Sequence, residues 1–347
     1  MHHRVATILR LYCGELVLAP IRAHLLVAKI AEAEAMLSSA TEWLILQAQR
    51  ARIRRQFKES LGYEGNFENP RTHQEKMQFR KLYGNHAFYA LVTDKYKVRD
   101  YVAAKVGARH LIPLLGVFDR LDESIFENLP QQFIIKANHG CKWHEVVHDK
   151  GKLAIHKTIR RFNTLCNRRY GGIAGERHYN FIKPKIVIEP LLQEPDGSLP
   201  WDYNFFCYNG PRGFDCNFAI ASPRGQSATF ETDWRIVRSD LPESELATHI
   251  KPANFDVMLD VAKRLSADFD FVRVDLYNVD NTVYFGELTC TPHQGYGAIP
   301  DPKRQKMRDE MWHLDAANPL LYKPPRNHRI MPVATPPRLG LSNPSVA

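Results

Sequence analysis

The chain has 347 residues, 44% of them hydrophobic, which is room for two or three structural units around a substantial core. Lys and Arg outnumber Asp and Glu by 47 to 38, and the net charge of +9 favours anionic partners: nucleotide, acidic polysaccharide, phospholipid head groups or nucleic acid. Six cysteines without a CxxC pair exclude a disulfide framework and a zinc ribbon, and charges interrupt every window of about 20 residues, which excludes a plain membrane span.

The first residues lead into an apolar stretch broken by Arg10 and Glu15, so no signal peptide is expected and the chain is expected to be cytoplasmic. Residues 1–60 read as a helical extension. Residues 23–35 are rich in Ala, Leu and Glu, and Thr41 is a good N-cap for a helix that runs into Arg50, Arg52, Arg54, Arg55 and Lys58. That basic end suits an ordinary helix C-terminus, and a peripheral membrane contact is the alternative.

The following unit, 61–120, begins with Asn69-Pro-Arg-Thr72-His-Gln-Glu75, where Thr72 and Glu75 form a capping box for a helix through Leu82. A second helix is expected from about Asp94 to Val106, closed by Gly107. Residues 121–188 form a third unit and 189–322 a fourth. Strands are expected at 114–118, 132–136, 182–189, 203–208 and 213–218, and a helix at 255–265. The proline-rich tail, 323–347, is expected to be disordered.

The chemistry concentrates late in the chain. Phe271-Val-Arg273-Val-Asp275-Leu-Tyr277 and Val283-Tyr-Phe285-Gly-Glu287-Leu-Thr289 flank polar turn residues and read as a β-hairpin. With the bend at Asn281, Asp275 faces Glu287, Arg273 faces Thr289 and Tyr277 faces Phe285. Strand alternation then puts Arg273, Asp275, Glu287 and Thr289 on one face and Val272, Val274, Leu276 and Leu288 on the other. Carboxylates paired across strands sit about 5 Å apart and repel. A magnesium ion completed by nucleotide phosphates relieves that repulsion, and so does Arg273 alone on a solvent-facing sheet.

Two other segments suit a nucleotide. Phe133-Ile-Ile-Lys136-Ala-Asn-His139-Gly140 is an apolar strand ending in a lysine and a glycine turn, which places a point charge and backbone N–H groups toward phosphates. Ile186-Val-Ile-Glu189-Pro-Leu-Leu192 is an apolar strand ending in an acid that could accept from an adenine amino group. Each is equally consistent with a strand simply reaching solvent.

Taken in order, Asn69 to Lys76, Asp94-Lys95-Tyr-Lys-Val-Arg, Phe133 to Gly140, Asp202-Tyr-Asn204-Phe-Phe-Cys-Tyr and the hairpin strings resemble the TupA-like ATP-grasp family, which is associated with teichuronopeptide and other cell-surface polysaccharide synthesis. The likeness covers residues 65–300. It implies an α+β ATP-grasp fold, with nucleotide clamped between two α+β units, and a ligase that activates a carboxylate as an acyl phosphate for attack by an amine. It also implies roles. Lys95 and Lys136 contact phosphates, with His139, Gly140 and Cys141 in the covering loop. Glu189 and Leu192 sit at the adenine hinge and Asp202 near the ribose. Asp275, Glu287 and Thr289 hold Mg2+, and Arg273 with Lys136 stabilises the transferring charge. The implied partners are ATP, an acidic saccharide and an amine or amino acid, with no nucleic acid. Arg160, Arg161, Arg168 and Arg169 are candidates to receive the saccharide.

Two places depart from the family: Cys141-Lys142 stands where the loop usually reads Ser-Gly, and Asn204 stands where a lysine is usual. Thr289 stands where many ATP-grasp enzymes carry asparagine, although Glu-Leu-Thr is usual in this family. A glycosyltransferase of the same setting, a kinase and a weakly active nucleotide-binding partner protein stay open as alternatives.

Overall fold

The computed structural model describes residues 43–171, 175–223, 225–248 and 251–323. The chain divides into two compact units, Met1–Ala51 and Arg52–Ala347. In the first, residues 43–51 are helical; the helix expected over 23–35 lies outside the described residues, as does all of the proline-rich tail beyond Lys323. Among the described residues no helix is long and apolar enough to cross a membrane.

The second unit opens with helix α1 over residues 52–61, whose Ile53 and Phe57 are buried and whose Phe57 packs edge-on against Phe67. Helix α2 spans His73–Tyr83, and the capping box at Thr72 and Glu75 forms as expected. All eleven residues of α2 are buried, the charged Lys76, Arg80 and Lys81 included. Such burial is tolerated because each cation finds acceptors. Lys76 donates to the carbonyls of Asp309 (2.6 Å) and Trp312 (2.7 Å), and Lys81 to that of Gln294 (3.0 Å). Arg80 donates to the carbonyls of Phe271 and Cys290, both at 2.8 Å, and pairs with Asp270 at 2.5 Å.

Helix α3, His86–Thr93, precedes helix α4, Val98–Val106. The helix expected to begin at Asp94 starts four residues later. Asp94 instead caps the intervening turn, accepting from the backbone N–H groups of Tyr96 (2.9 Å) and Lys97 (3.2 Å).

A four-stranded antiparallel sheet follows, in the order β1 (Gly116–Phe118), β4 (Ile186–Pro190), β2 (Phe133–Ala137), β3 (His144–Val147). Alternation along β2 sends Phe133, Ile135 and Ala137 into a core with Phe126 of helix α5 (Glu123–Glu127) and with Phe162 and Leu165 of helix α6 (Ile155–Leu165). Lys136 points to the opposite face.

The second sheet is six-stranded and antiparallel, in the order β10, β9, β5, β6, β7, β8. Its strands are β5 (Asp202–Gly210), β6 (Gly213–Ala221), β7 (Ser227–Glu231), β8 (Ile236–Ser239), β9 (Phe271–Val279) and β10 (Thr282–Thr289). A short helix α7 (Glu243–Thr248) leads to helix α8 (Phe255–Ser266), whose Phe255 packs on Phe205 and Phe218 and covers one face. The other face carries Asp202, Asn204 and Phe206, which pair in register with Tyr277, Asp275 and Arg273. Helix α9, Pro302–Met311, brings Arg304 and Arg308 to that face.

Candidate active site

The β9–β10 hairpin turns on Asp280 and Asn281, both with positive φ (46° and 57°), and pairs Val279 with Thr282. Two left-handed central residues match the twist of the strands, and Asp and Asn adopt that conformation readily. Pairing then runs Tyr277 with Tyr284 and Leu276 with Phe285, so the expected Tyr277–Phe285 pair is corrected by one residue. The register shifts between Phe285 and Glu287, and beyond it Asp275 faces Glu287 and Arg273 faces Thr289 as expected.

The shift is a bulge at Gly286, and it changes which face each residue occupies. Val283 and Phe285 are buried on the core side. Without the extra residue, alternation would send Glu287 and Thr289 the same way. The bulge places them on the face of Asp275. A Cβ on Gly286 would stand 3.0 Å from the Asp275 carbonyl oxygen and 3.2 Å from the Tyr277 ring, so glycine fits there best.

On that face Arg273 is the hub. Its Nε donates to Asp275 Oδ1 (2.7 Å) and its Nη2 to Asp275 Oδ2 (2.5 Å), a bidentate pair. Nη2 also reaches Thr289 Oγ1 (3.0 Å) and Glu287 Oε1 (3.3 Å), while Thr289 donates to Glu287 at 2.9 Å. Burial opposes the charge on Arg273, but Asp275 and Glu287 outweigh it and hold its pKa above the usual value. Burial pushes Asp275 up to about 7 although Arg273 opposes this. Burial also works to raise Glu287, yet Lys95 and Arg273 prevail and hold its carboxyl below the ordinary range. Glu287 sits at the mouth, its side chain 42% exposed.

The four-stranded sheet supplies a second set. Lys136 Nζ pairs with Glu189 at 2.6 Å, and Arg99 of α4 lies 3.7 Å from the same carboxylate. Register explains the pair: Lys136 faces Val187 and Ile134 faces Glu189, which makes Lys136 and Glu189 diagonal neighbours on one face. His144 faces Lys136 across β2 and β3. Leu192 lies half-buried just beyond β4. Asp202 opens β5, bonded to the Tyr277 hydroxyl, and burial raises its pKa.

Lys95 joins the two sets. Its Nζ lies 3.5 Å from Glu287 and donates to the Gly140 carbonyl at 3.2 Å. The residue that fixes this lysine, Asp94, was not singled out from the sequence. Besides capping the turn, it accepts from Asn138 Nδ2 at 2.8 Å, and Asn138 in turn accepts from the Lys185 N–H at 2.7 Å. Arg99 was also missed as a partner of Glu189. Both stand in the Asp94–Arg99 string that carried the family likeness.

The loop after β2 is tightly built. Gly140 lies under Trp143, whose ring a Cβ would meet at 2.4 Å, and Lys142 has a φ of 59°. Cys141 is exposed. His139 is not: its ring nitrogens lie 3.1 Å from Leu165 O and Asn138 Oδ1, so it anchors the loop from within and does not reach outward. Arg161, one of the arginines considered for a saccharide, is occupied by Glu145 (3.0 Å) on the helix-covered side of the sheet, away from Lys136.

The oxygen donors of Asp275, Glu287 and Thr289 suit a hard cation such as Mg2+. Among the described residues no group of three or more His, Cys, Asp and Glu is placed to hold a metal ion, so two carboxylates would require phosphate oxygens to complete a shell.

No curated protein matches the chain. Among solved structures, it is similar to the D-alanine–D-alanine ligase of Helicobacter pylori, at 18% identity and a TM-score of 0.40 over 64% of this chain and 61% of that one. It is also similar to the phosphoribosylamine–glycine ligase of Thermotoga maritima (14%, TM-score 0.35, 60% of this chain and 50% of that one) and to the D-alanine–D-alanine ligase of Bacillus anthracis (13%, TM-score 0.35, 69% and 73%). The chain thus spans less than two thirds of the first two enzymes. The family model for TupA-like ATP-grasp proteins matches residues 75–309, a stretch that runs from α2 through both sheets to α9, and the chain belongs to that family.

Proposed function

We propose that the protein is an ATP-dependent carboxylate–amine ligase that works through an acyl phosphate and modifies a cell-surface polysaccharide or its precursor. The observation that carries this reading is the Arg273–Asp275–Glu287–Thr289 cluster, buried at Asp275 and open at Glu287, with Lys95 only 3.5 Å from Glu287, which faces cations and carboxylates toward one space. Membership of an ATP-grasp family supplies the nucleotide.

Asp275 and Glu287, with Thr289 beside them, would hold magnesium. Bound there with ATP, the ion neutralises phosphate charge and orients the γ-phosphoryl group. Lys95 and Lys136 set point charges on the phosphates, and both are held in place by the Gly140 carbonyl and Glu189. A substrate carboxylate oxygen attacks the γ-phosphorus and ADP departs. The amine then attacks the acyl carbonyl, loses a proton and expels phosphate. Arg273, fixed by two bonds to Asp275, offers a preorganised positive charge to the oxygens that gain charge in both steps.

Asn204 pairs in register with Asp275, so the position where the family usually has lysine lies inside the cluster. Its amide keeps a donor there and removes a charge. The test is ADP release with mixtures of uronic acids and amino acids. Release that requires both a carboxylate and an amine supports the ligase. Phosphorylation of a hydroxyl, or turnover of a UDP-sugar without ATP, would replace this reading by a kinase or a glycosyltransferase.

A further inference from the structure

Buried and half-buried arginines in this protein fall into two groups. Arg80 is fully supplied, with Asp270 and two carbonyls around its guanidinium. Arg304 and Arg308, one turn apart on α9, are not. Arg308 is only 7% exposed, yet its guanidinium makes a single long bond, Nη2 to Asn217 Oδ1 at 3.5 Å, and its Nε has no partner. Arg304 donates Nη2 to Thr229 Oγ1 at 3.3 Å, and its Nε is buried without a partner as well. Among the described residues neither lies within ion-pair distance of a carboxylate, whereas the nearby Arg238 pairs with Asp240 at 2.6 Å. Burial and then the charges of Arg308 and Arg238 push Arg304 down to about 10. Two neighbouring, half-satisfied guanidiniums are costly without an anion and well suited to hold one.

Their place on the sheet gives the site its meaning. Arg308 stacks over the Phe206 ring at 4.1 Å, and Phe206 pairs in register with Arg273. Phe206 pairs in turn with Asn217, and Ala219 with Thr229, so the partners of Arg308 and Arg304 step outward from β9 across β5, β6 and β7 on the face of the Asp275 cluster. His293, on the loop after β10, has its pKa lowered by burial and then by the charges of Arg273 and Arg308. At about 4.8 Å per strand, Asn217 lies roughly 10 Å from the Arg273 column and Thr229 roughly 14 Å.

We propose that Arg304 and Arg308 form a second anion subsite, which takes a carboxylate or phosphate group of the substrate about 10–14 Å from the carboxylate activated at Arg273. The substrate is therefore an extended polyanion lying across the strands, not a small monocarboxylate. This rests on the ligase reading for the identity of the reacting end, while the subsite itself stands on the arginines.

The test is calorimetry with galacturonate, trigalacturonate and UDP-glucuronate, each with and without Mg·AMP-PNP. Wild type, Arg304→Gln, Arg308→Gln and Arg308→Lys are compared. The expected result is that at least one polyanion binds wild type about tenfold or more tighter than galacturonate, and that both Gln variants lose this gain. Arg308→Lys keeps part of it, and AMP-PNP affinity stays the same in every variant. Preference for trigalacturonate identifies a carboxylate and preference for UDP-glucuronate a phosphate. Polyanions that bind no better than galacturonate, or equally well to the Gln variants, would overturn the subsite. Arg304→Gln, at a less buried position, gives the same readout should Arg308→Gln not fold. Failure of AMP-PNP to bind wild type would sink the nucleotide reading alone, because the titrations without nucleotide still score the arginines.

Discussion

Arg80→Met is the substitution most informative about how the β9–β10 hairpin is held. Arg80 reaches from α2 to the start of β9, through the Phe271 carbonyl, and to the end of β10, through the Cys290 carbonyl. Its partner Asp270 also accepts from the Tyr322 hydroxyl (2.8 Å) and the Asp315 N–H (3.1 Å), and the guanidinium lies 4.6 Å from the centre of the Trp312 ring. Both members of the pair are 1% exposed. Methionine keeps most of the volume, so the loss is electrostatic: two carbonyls without donors and a buried carboxylate without its counter-charge. Removing one member of such a pair costs about 3–5 kcal/mol. Asp270 retains two donors, which places the expected value at the lower end, about 3 kcal/mol. Urea denaturation followed by far-UV dichroism and tryptophan fluorescence reads this directly. Adding Asp270→Asn to Arg80→Met removes the stranded charge, so the double variant should be less destabilised than the sum of the singles by at least about 1 kcal/mol. A single variant that loses under about 1 kcal/mol, or strict additivity in the double, would refute the view that this pair carries the hairpin.

Other outcomes follow from the same geometry. Gly286→Ala should cost about 1–3 kcal/mol through crowding against Asp275 and Tyr277, and should weaken AMP-PNP binding because the bulge sets the direction of Glu287; wild-type stability and affinity together would contradict the role given to the bulge. Two buried histidines should subtract stability as pH falls from 6.5 to 5, while Asp275, whose pKa burial raises, works in the opposite direction. Burial, aided by the charges of His86, Lys81 and Arg80, pushes His178 down to about 3, and burial with Arg177 pushes His86 down to about 4. Both are neutral when folded and take up protons only on unfolding, so their contribution is complete above pH 6.5 and is lost below it, at about 2 kcal/mol for His178 by pH 5. His178→Gln should flatten that slope, and an unchanged pH profile would remove His178 from the account.

The sequence carried the chemistry of the hairpin better than its geometry. Period-two alternation exposed Arg273, Asp275, Glu287 and Thr289 as one face, and the pairing at these four residues came out right for an incomplete reason. A bend at Asn281 has the same offset as a two-residue turn at Asp280–Asn281 followed by one bulged residue. Only before the bulge, from Leu276 to Val279, do the two differ. The capping box of α2 was legible because it is local. The complete burial of that helix was not, since the acceptors for Lys76 and Arg80 lie some 190–236 residues away in the chain. Helix α4 was extended too far back because Asp94 looks like an N-cap and spends its side chain on the preceding turn. Helices α3, α6, α7 and α9 and strands β3, β7 and β8 went unread. Arg304 and Arg308 look like solvated charges on a polar helix until the sheet brings Phe206 beneath them.

Calorimetric titration of AMP-PNP, with and without magnesium, into wild type and Asp275→Asn/Glu287→Gln tests the central claim most directly. Magnesium-dependent binding to wild type is expected, with loss of both affinity and magnesium dependence in the double variant, which stays folded because neutral amides still bond to Arg273 and Thr289. Binding of a UDP-sugar with no response to AMP-PNP, or equal magnesium-dependent binding by both proteins, would contradict it.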